Sequence, residues 1–476
     1  MIVVIPGILG STLHRGGEPL WQPPLALGGA LRRGGRGLED LAGDHTALDD
    51  PDHDDGVVAT GLIGTPVALP GLAKVNQYRL LRRRITGELD VVRGDPRVDG
   101  PPANYFEFPY DWRRDNRVAA GRLKALVDRE LPKWQTTLPY GKRARAVLVC
   151  HSMGGLVAKF YLDVLGGRDH CRALITFGTP FRGSVDALGF LANGVRKFGV
   201  GFDALSEVAG EFTSVHQLLP RYPVVVDHRS GRPQLLRVRE LARTVGRLDL
   251  KRTTAAYQDF HRPMDEGAAG AAGSPLTVVP VVGYGHRTLQ AAEIDGVGRL
   301  RTTRDPLALD PGQDWLATGD GTVPLLSAVP VELSESGTWA WENETHSSMH
   351  ATPAVLDRLL AALALFGAGL RDLQGPDSPP PSLPFSPAAD PQALDLRVQD
   401  GLADGEPAVV VCDGEPVRAG SEPVDIAFTG PGTPAGIVRD ELDGAARWTA
   451  TGLPAGSYEV TVTVGARSVT DVLGVW

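Results

Sequence analysis

Residues 146–165 read AVLVCHSMGGLVAKFYLDVL. The opening four are apolar without interruption, as in a strand covered on both faces. Leu156, Phe160 and Val164 then recur every fourth residue, which predicts a helix over 156–165. Between them Ser152 sits in a turn followed by Gly154 and Gly155. A strand that bends sharply through a serine into a helix pushes the hydroxyl out above the sheet edge. The two glycines let the helix start close to the strand, with its first amides facing the same spot.

This is the pattern of the nucleophile elbow of the α/β-hydrolase fold, GxSxG, with one departure: Cys150 stands at the first glycine. Short motifs match by chance, so the remaining chemistry must be found elsewhere. A serine hydroxyl needs a base to take its proton and a carboxylate to orient that base, and in this fold they follow in the order Ser, Asp, His. Residues 319–324, GDGTVP, hold Asp320 between two glycines, and residues 342–350, ENETHSSMH, hold His346 and His350 before a helix predicted over 353–366. An aspartate before glycine is commonly a turn former. Chain order, more than any single residue, selects Ser152, Asp320 and His346, with His346 preferred to His350 because it ends a strand-like stretch. The oxyanion of an acyl-transfer intermediate needs two backbone N–H donors. Met153, next to the serine, supplies one. The apolar start MIVVIPGILGS, residues 1–11, turns at Pro6-Gly7 and offers Leu9, or Ile8, as the other.

Six segments in one order extend the pattern: PGILGS at 6–11, PYDWR at 109–113, HSMGG at 151–155, TFGTPFRGS at 176–184, QLLP at 217–220 and DGTVP at 320–324. Together with His346 they resemble the lecithin:cholesterol acyltransferase family, which includes lysosomal phospholipase and phospholipid:diacylglycerol acyltransferase relatives. The resemblance implies an α/β-hydrolase with cap and lid insertions, a Ser152–Asp320–His346 triad and an oxyanion hole from Leu9 and Met153. It implies a lipid ester as substrate, phospholipid or acylglycerol, with water or an alcohol accepting the acyl group and no cofactor. Because PYDWR lies near the site in that family, Asp111 and Trp112 are expected in the substrate pocket, joined by Trp21 of the first insertion. The other reading open at this point is a hydrolase-fold protein that binds rather than turns over its ligand.

The chain of 476 residues is long for one core. Residues 375–391, GPDSPPPSLPFSPAADP, read as a stiff linker. They separate a catalytic part, 1–374, with insertions at about 13–72 and 185–260, from a part, 392–476, whose short alternating runs predict an immunoglobulin-like β-sandwich. From residue 388 onward 14 Asp and Glu face 5 Arg, a balance of −9 that equals the net charge of the whole chain. An acidic sandwich is repelled by nucleic acid and anionic lipid, so it is expected either to serve as a passive stabilising unit or to take a protein or glycan partner, and transient contact of the protein with a membrane surface stays open. No run reaches the ~18 apolar residues of a bilayer span. Three scattered cysteines and an apolar start without a leader pattern predict a cytoplasmic protein. The 41 arginines against 7 lysines are expected of a GC-rich bacterial genome. Residues 49–56, DDPDHDDG, fail as a calcium loop, because Asp55 and Gly61 stand where such a loop starting at Asp50 needs Gly and Glu.

Overall fold

The computed structural model describes residues 1–22, 41–42, 49–69, 73–137, 144–194, 203–246, 248–271, 275–305, 317–334, 339–368, 389–390 and 392–476. Six strands build the central sheet: β1 Ile2–Ile5, β2 Tyr105–Glu107, β3 Ala146–His151, β4 Cys171–Phe177, β5 Thr277–Gly283 and β6 Ala340–Glu342. They lie side by side in the order β6-β5-β4-β3-β1-β2, and every pairing is parallel. All six residues of β3 are buried, as the unbroken apolar run requires of a strand covered on both faces.

Helices α1 Arg79–Glu88, α2 Asn116–Thr137, α3 Gly154–Asp163 and α5 Pro353–Ala368 accompany the sheet, while α4 Val185–Asn193 packs on the strands Ala291–Ile294 and Leu300–Thr303. Helix α3 starts two residues ahead of the apolar period because the glycines themselves are helical. A Cβ on Gly154 would lie 2.4 Å from Pro6 O, and one on Gly155 would lie 2.1 Å from Thr179 Oγ1. Helix and strand ends can approach this closely only with side chains absent. The chain is therefore a parallel α/β-hydrolase sheet whose strand ends converge on the turn after β3.

The two expected insertions hold more strand than the sequence suggests. The first contributes an antiparallel sheet of Glu18–Trp21, Ser11–Arg15 and Val57–Leu62 and the hairpin Val67–Leu69/Ala73–Val75, while residues 23–40, 43–48 and 70–72 lie outside the described residues. The second holds α4 and the short helices Asp203–Gly210 and Thr213–His216. It also lends Val225–Asp227 and Gln234–Leu236 to a four-stranded sheet completed by Ala291–Ile294 and Leu300–Thr303. No described helix is long and apolar enough to cross a membrane. The three cysteines are buried and unpaired.

Of the proline-rich stretch only residues 389–390 are among those described. Beyond it come β7 Asp395–Val398, β8 Gly401–Leu402, β9 Ala408–Asp413, β10 Val424–Thr429, β11 Gly436–Leu442, β12 Ala445–Thr451, β13 Gly456–Val464 and β14 Arg467–Val475. They form two four-stranded sheets, β7-β9-β12-β11 and β8-β14-β13-β10, antiparallel throughout except where β8 meets β14. The alternation expected of a sandwich is plain in β13, where Tyr458, Val460, Val462 and Val464 are buried in a core of their own with Trp448 and Leu473.

These sheets are bonded to the hydrolase part by polar contacts close to the histidine segment. Lys74 Nζ donates to Asp471 Oδ2 and Val398 O, each at 2.8 Å, and Gln77 Nε2 donates to Glu459 Oε1 at 2.9 Å. Asn343 Nδ2 donates to Leu394 O while its Oδ1 accepts from Leu394 N. Beneath this seam burial lifts the Glu344 carboxyl to about 8, against a backbone hydrogen bond with Thr470 that works the other way.

Two outcomes follow. Gly154→Ala should cost about 1–3 kcal/mol by forcing the elbow open, read by denaturant unfolding. For Glu344, the folded form keeps its proton above the pH at which the unfolded chain has lost it, so stability falls as pH rises from about 4.5 to about 8. Glu344→Gln should flatten that part of the profile of melting temperature against pH.

Candidate active site

The turn after β3 holds Ser152 at φ +51°, one of three described non-glycine residues with positive φ. Such a conformation is strained for an L-residue and persists where its surroundings over-determine it. Here Ser152 N donates to Phe177 O at 2.9 Å, and Thr179 Oγ1 donates to Ser152 O at 2.8 Å, so the end of neighbouring β4 and the turn after it hold the residue on both sides. Gly7 passes so near that a Cβ there would lie 2.8 Å from Ser152 Cβ. Cys150, which stands at the first glycine of the usual motif, is buried at the end of β3 and paired in register with Ile5 and Thr176.

Ser152 Oγ lies 2.9 Å from His346 Nε2, and His346 Nδ1 lies 2.7 Å from Asp320 Oδ2. Asp320 Oδ1 accepts from the backbone N–H of Thr322 at 3.0 Å and Val323 at 2.6 Å, which fixes the carboxylate. With Asp320 as acceptor, the network assigns the proton to Nδ1 and leaves Nε2 free to accept from the serine. Gly178 explains part of the TFGTP segment: at φ +58°, a Cβ there would lie 2.7 Å from Asp320 Oδ2 and 2.9 Å from His346 Nδ1. The structure thus brings together the three residues that chain order selected.

His350 is placed elsewhere. It stacks on Tyr78 with ring centroids 4.4 Å apart, its Nε2 is 3.2 Å from Asn76 O, and burial pushes its pKa down to about 3. A relay not foreseen from the sequence holds the histidine backbone. Tyr78 OH accepts from Gly7 N at 3.0 Å and lies 2.9 Å from His151 Nδ1, and His151 Nε2 donates to His346 O at 2.9 Å. Burial holds His151 well below its ordinary pKa, so it stays neutral and keeps one donor and one acceptor. His151 stood in the HSMGG motif, but nothing local pointed to its partners.

Leu9 shares the left-handed conformation, at φ +64°. Its carbonyl accepts from Trp21 Nε1 at 3.0 Å, turning the peptide so that the carbonyl faces the core. Trp112 Nε1 donates to Ser11 O at 3.2 Å, and the two indoles meet edge to face at 5.4 Å. Trp21 and Trp112 are therefore buried supports under the loop of residues 6–11, which corrects their expected place in the substrate pocket. Asp111 is likewise consumed: Oδ1 and Oδ2 accept from Arg113 Nε and Nη2 at 2.9 and 2.6 Å, and Arg113 also binds Asp55. That last bond gives residues 49–56 a structural use. Among the described residues no group of three His, Cys, Asp or Glu is placed to hold a metal.

A cavity of about 760 Å³ opens against Asp320 and His346, between the hydrolase part and the C-terminal sheets. Its wall mixes Leu289, Leu396 and Val398 with Lys74, Arg287 and Asp400, and none of Trp21, Asp111 or Trp112 borders it. Asp186, at the start of α4, faces it as well; burial first, and then the charge of Asp400, lift its carboxyl to about 7.

The family model for lecithin:cholesterol acyltransferase matches residues 101–244. No curated protein matches the chain. Among solved structures, the Tle4-Tli4 complex aligns with a TM-score of 0.51 at 14% identity, over 78% of this chain and 99% of that one, a likeness of fold. The lin2722 product of Listeria innocua aligns at 0.29 and 12% identity, over 75% and 91% of the two chains. The propeptide form of Bacillus licheniformis lipase BlEst2 aligns at 0.32 and 13%, over 99% and 73%. With its parallel sheet and that family match, the chain is an α/β-hydrolase whose family resemblance is to lecithin:cholesterol acyltransferase.

Proposed function

We propose that the protein is a serine-dependent lipid esterase or acyltransferase with Ser152, His346 and Asp320 as its triad. The observation that carries the reading is the unbroken line of bonds from Ser152 Oγ through both nitrogens of His346 to Asp320. His346 Nε2 takes the hydroxyl proton as Ser152 Oγ attacks the ester carbonyl, and the imidazolium formed is held by the Asp320 carboxylate. The N–H groups of Leu9 and Met153 receive the oxyanion, the strained φ of Leu9 being the cost of aiming one of them. Collapse expels the alcohol with the proton from His346, leaving an acyl-Ser152 ester. Water or a second alcohol then gives its proton to His346 and takes the acyl group.

The catalytic unit is residues 1–374 and the acidic sandwich residues 392–476. Substrate approaches along the cavity that touches His346. Its half-polar wall suits the head of an amphipathic ester better than an alkane chain.

Purified protein should hydrolyse p-nitrophenyl esters and react with a fluorophosphonate probe, and Ser152→Ala should lose both. Activity that survives in this variant sinks the assignment, and a wild-type protein that never labels favours ligand binding without turnover. Asp320→Asn should lower kcat by about four orders of magnitude through the wrong imidazole tautomer. Products from phospholipid vesicles, with and without added alcohol, separate hydrolysis from transfer.

A further inference from the structure

His346 does not lie on a strand or helix. Residues 343–352 connect β6 to α5 without regular structure, yet residues 344–350 are all buried. Turns within the segment satisfy only part of its buried polar groups, through Ser348 N and Met349 N to Thr345 O and Ala351 N to Ser348 O, and the rest find partners outside it. On the hydrolase side His346 N donates to Asp320 O at 2.8 Å, and Asn76 N donates to Ser347 O at 2.9 Å. The side chains on either side of the histidine face the other way. Thr345 Oγ1 donates to Thr470 O at 2.5 Å, and Ser347 Oγ donates to Asp471 Oδ1 at 2.8 Å. Both acceptors are consecutive residues of β14, the last strand of the C-terminal sheets.

The anchor is itself held. Asp471 Oδ1 also accepts from Val472 N at 2.8 Å, and its Oδ2 accepts from Lys74 Nζ. Lys74 lies two residues before Asn76, which bonds the same Ser347 from the opposite side. Ser347, Asp471, Lys74 and Asn76 thus close a ring around the segment that carries the histidine.

We infer that β14 of the C-terminal sheets is a positioning element of the active site, with Asp471 and the Thr470 carbonyl holding His346 in line with Ser152. This rests on the triad proposed above and extends it: the sandwich is part of the catalytic apparatus rather than an appended module for a protein or glycan. A histidine base works only within hydrogen-bond reach of its serine, and displacement by about 1 Å can cost a hundredfold. Loosening the segment should therefore slow the chemical step and leave ester binding untouched.

The test uses the full chain. Thr345→Val/Ser347→Ala removes both donors to β14 without stranding a buried charge. The double variant should show kcat for a soluble p-nitrophenyl ester lowered about tenfold or more, with KM within twofold of wild type. The rate constant of fluorophosphonate labelling should fall in parallel, while the fraction labelled at completion stays whole. A purely structural role would lower the labelled fraction instead and leave the rate constant of the remaining molecules unchanged, which overturns the inference. So would kcat and labelling rate both within twofold of wild type. The near-isosteric single variant Thr345→Val reads the same split at about threefold and serves if the double variant is lost to misfolding. Wild-type protein that neither hydrolyses nor labels overturns the triad itself and this inference with it, whereas a failure confined to the variants leaves the triad standing.

Discussion

A single peptide, that of Ser152, sits in a left-handed conformation between a buried strand and a helix, and the surrounding sequence is shaped by the need to keep it there. Gly154 and Gly155 remove the side chains that would collide with Pro6 and Thr179, and Gly7 clears the space over the serine itself. Phe177 and Thr179 of the neighbouring strand and its following turn bind the two ends of the peptide. Because Phe177 ends β4 and Thr179 follows it, the parallel register of β3 with β4 is a condition of the turn. A shift in pairing would withdraw the acceptor at Phe177 and release the strain.

Electrostatic order around His346 is obtained mostly with neutral groups. The His151 ring lies 5.1 Å from that of His346 and 4.1 Å from that of His350, centroid to centroid, a spacing at which charged imidazoles would repel one another. Burial keeps His151 and His350 unprotonated. Among the described residues the carboxylate bonded to His346 is that of Asp320, and two backbone amides fix it.

The elbow and the order of its partners could be read from the chain because they are local: a strand period, a helix period and glycines within a few residues specify the turn, and the motif around Asp320 is equally short. The sandwich was legible for the same reason, through the alternation in residues 456–464. What sequence could not distinguish was which side of a loop an aromatic residue takes. Trp21 and Trp112 next to catalytic segments look alike whether they line a pocket or brace a turn, and the bonds from their indoles to Leu9 and Ser11 settle which they do. Nor could it pair Thr345 with Thr470 across 125 positions or Tyr78 with His151 across 73, since neither bond leaves a periodicity behind.

The separation of Ser152 from His346 has a consequence in time. The two are 194 residues apart, and a ribosome adding about 5–20 residues per second needs about 10–40 s to travel between them. Strands β1, β3 and β4, which surround the elbow, are all made before that interval ends, so the turn at Ser152 can be shaped while the histidine that bonds it does not yet exist. Until then the serine hydroxyl has no imidazole within reach. The reactivity proposed for it waits for the segment behind the last parallel strand and for β14, which holds that segment.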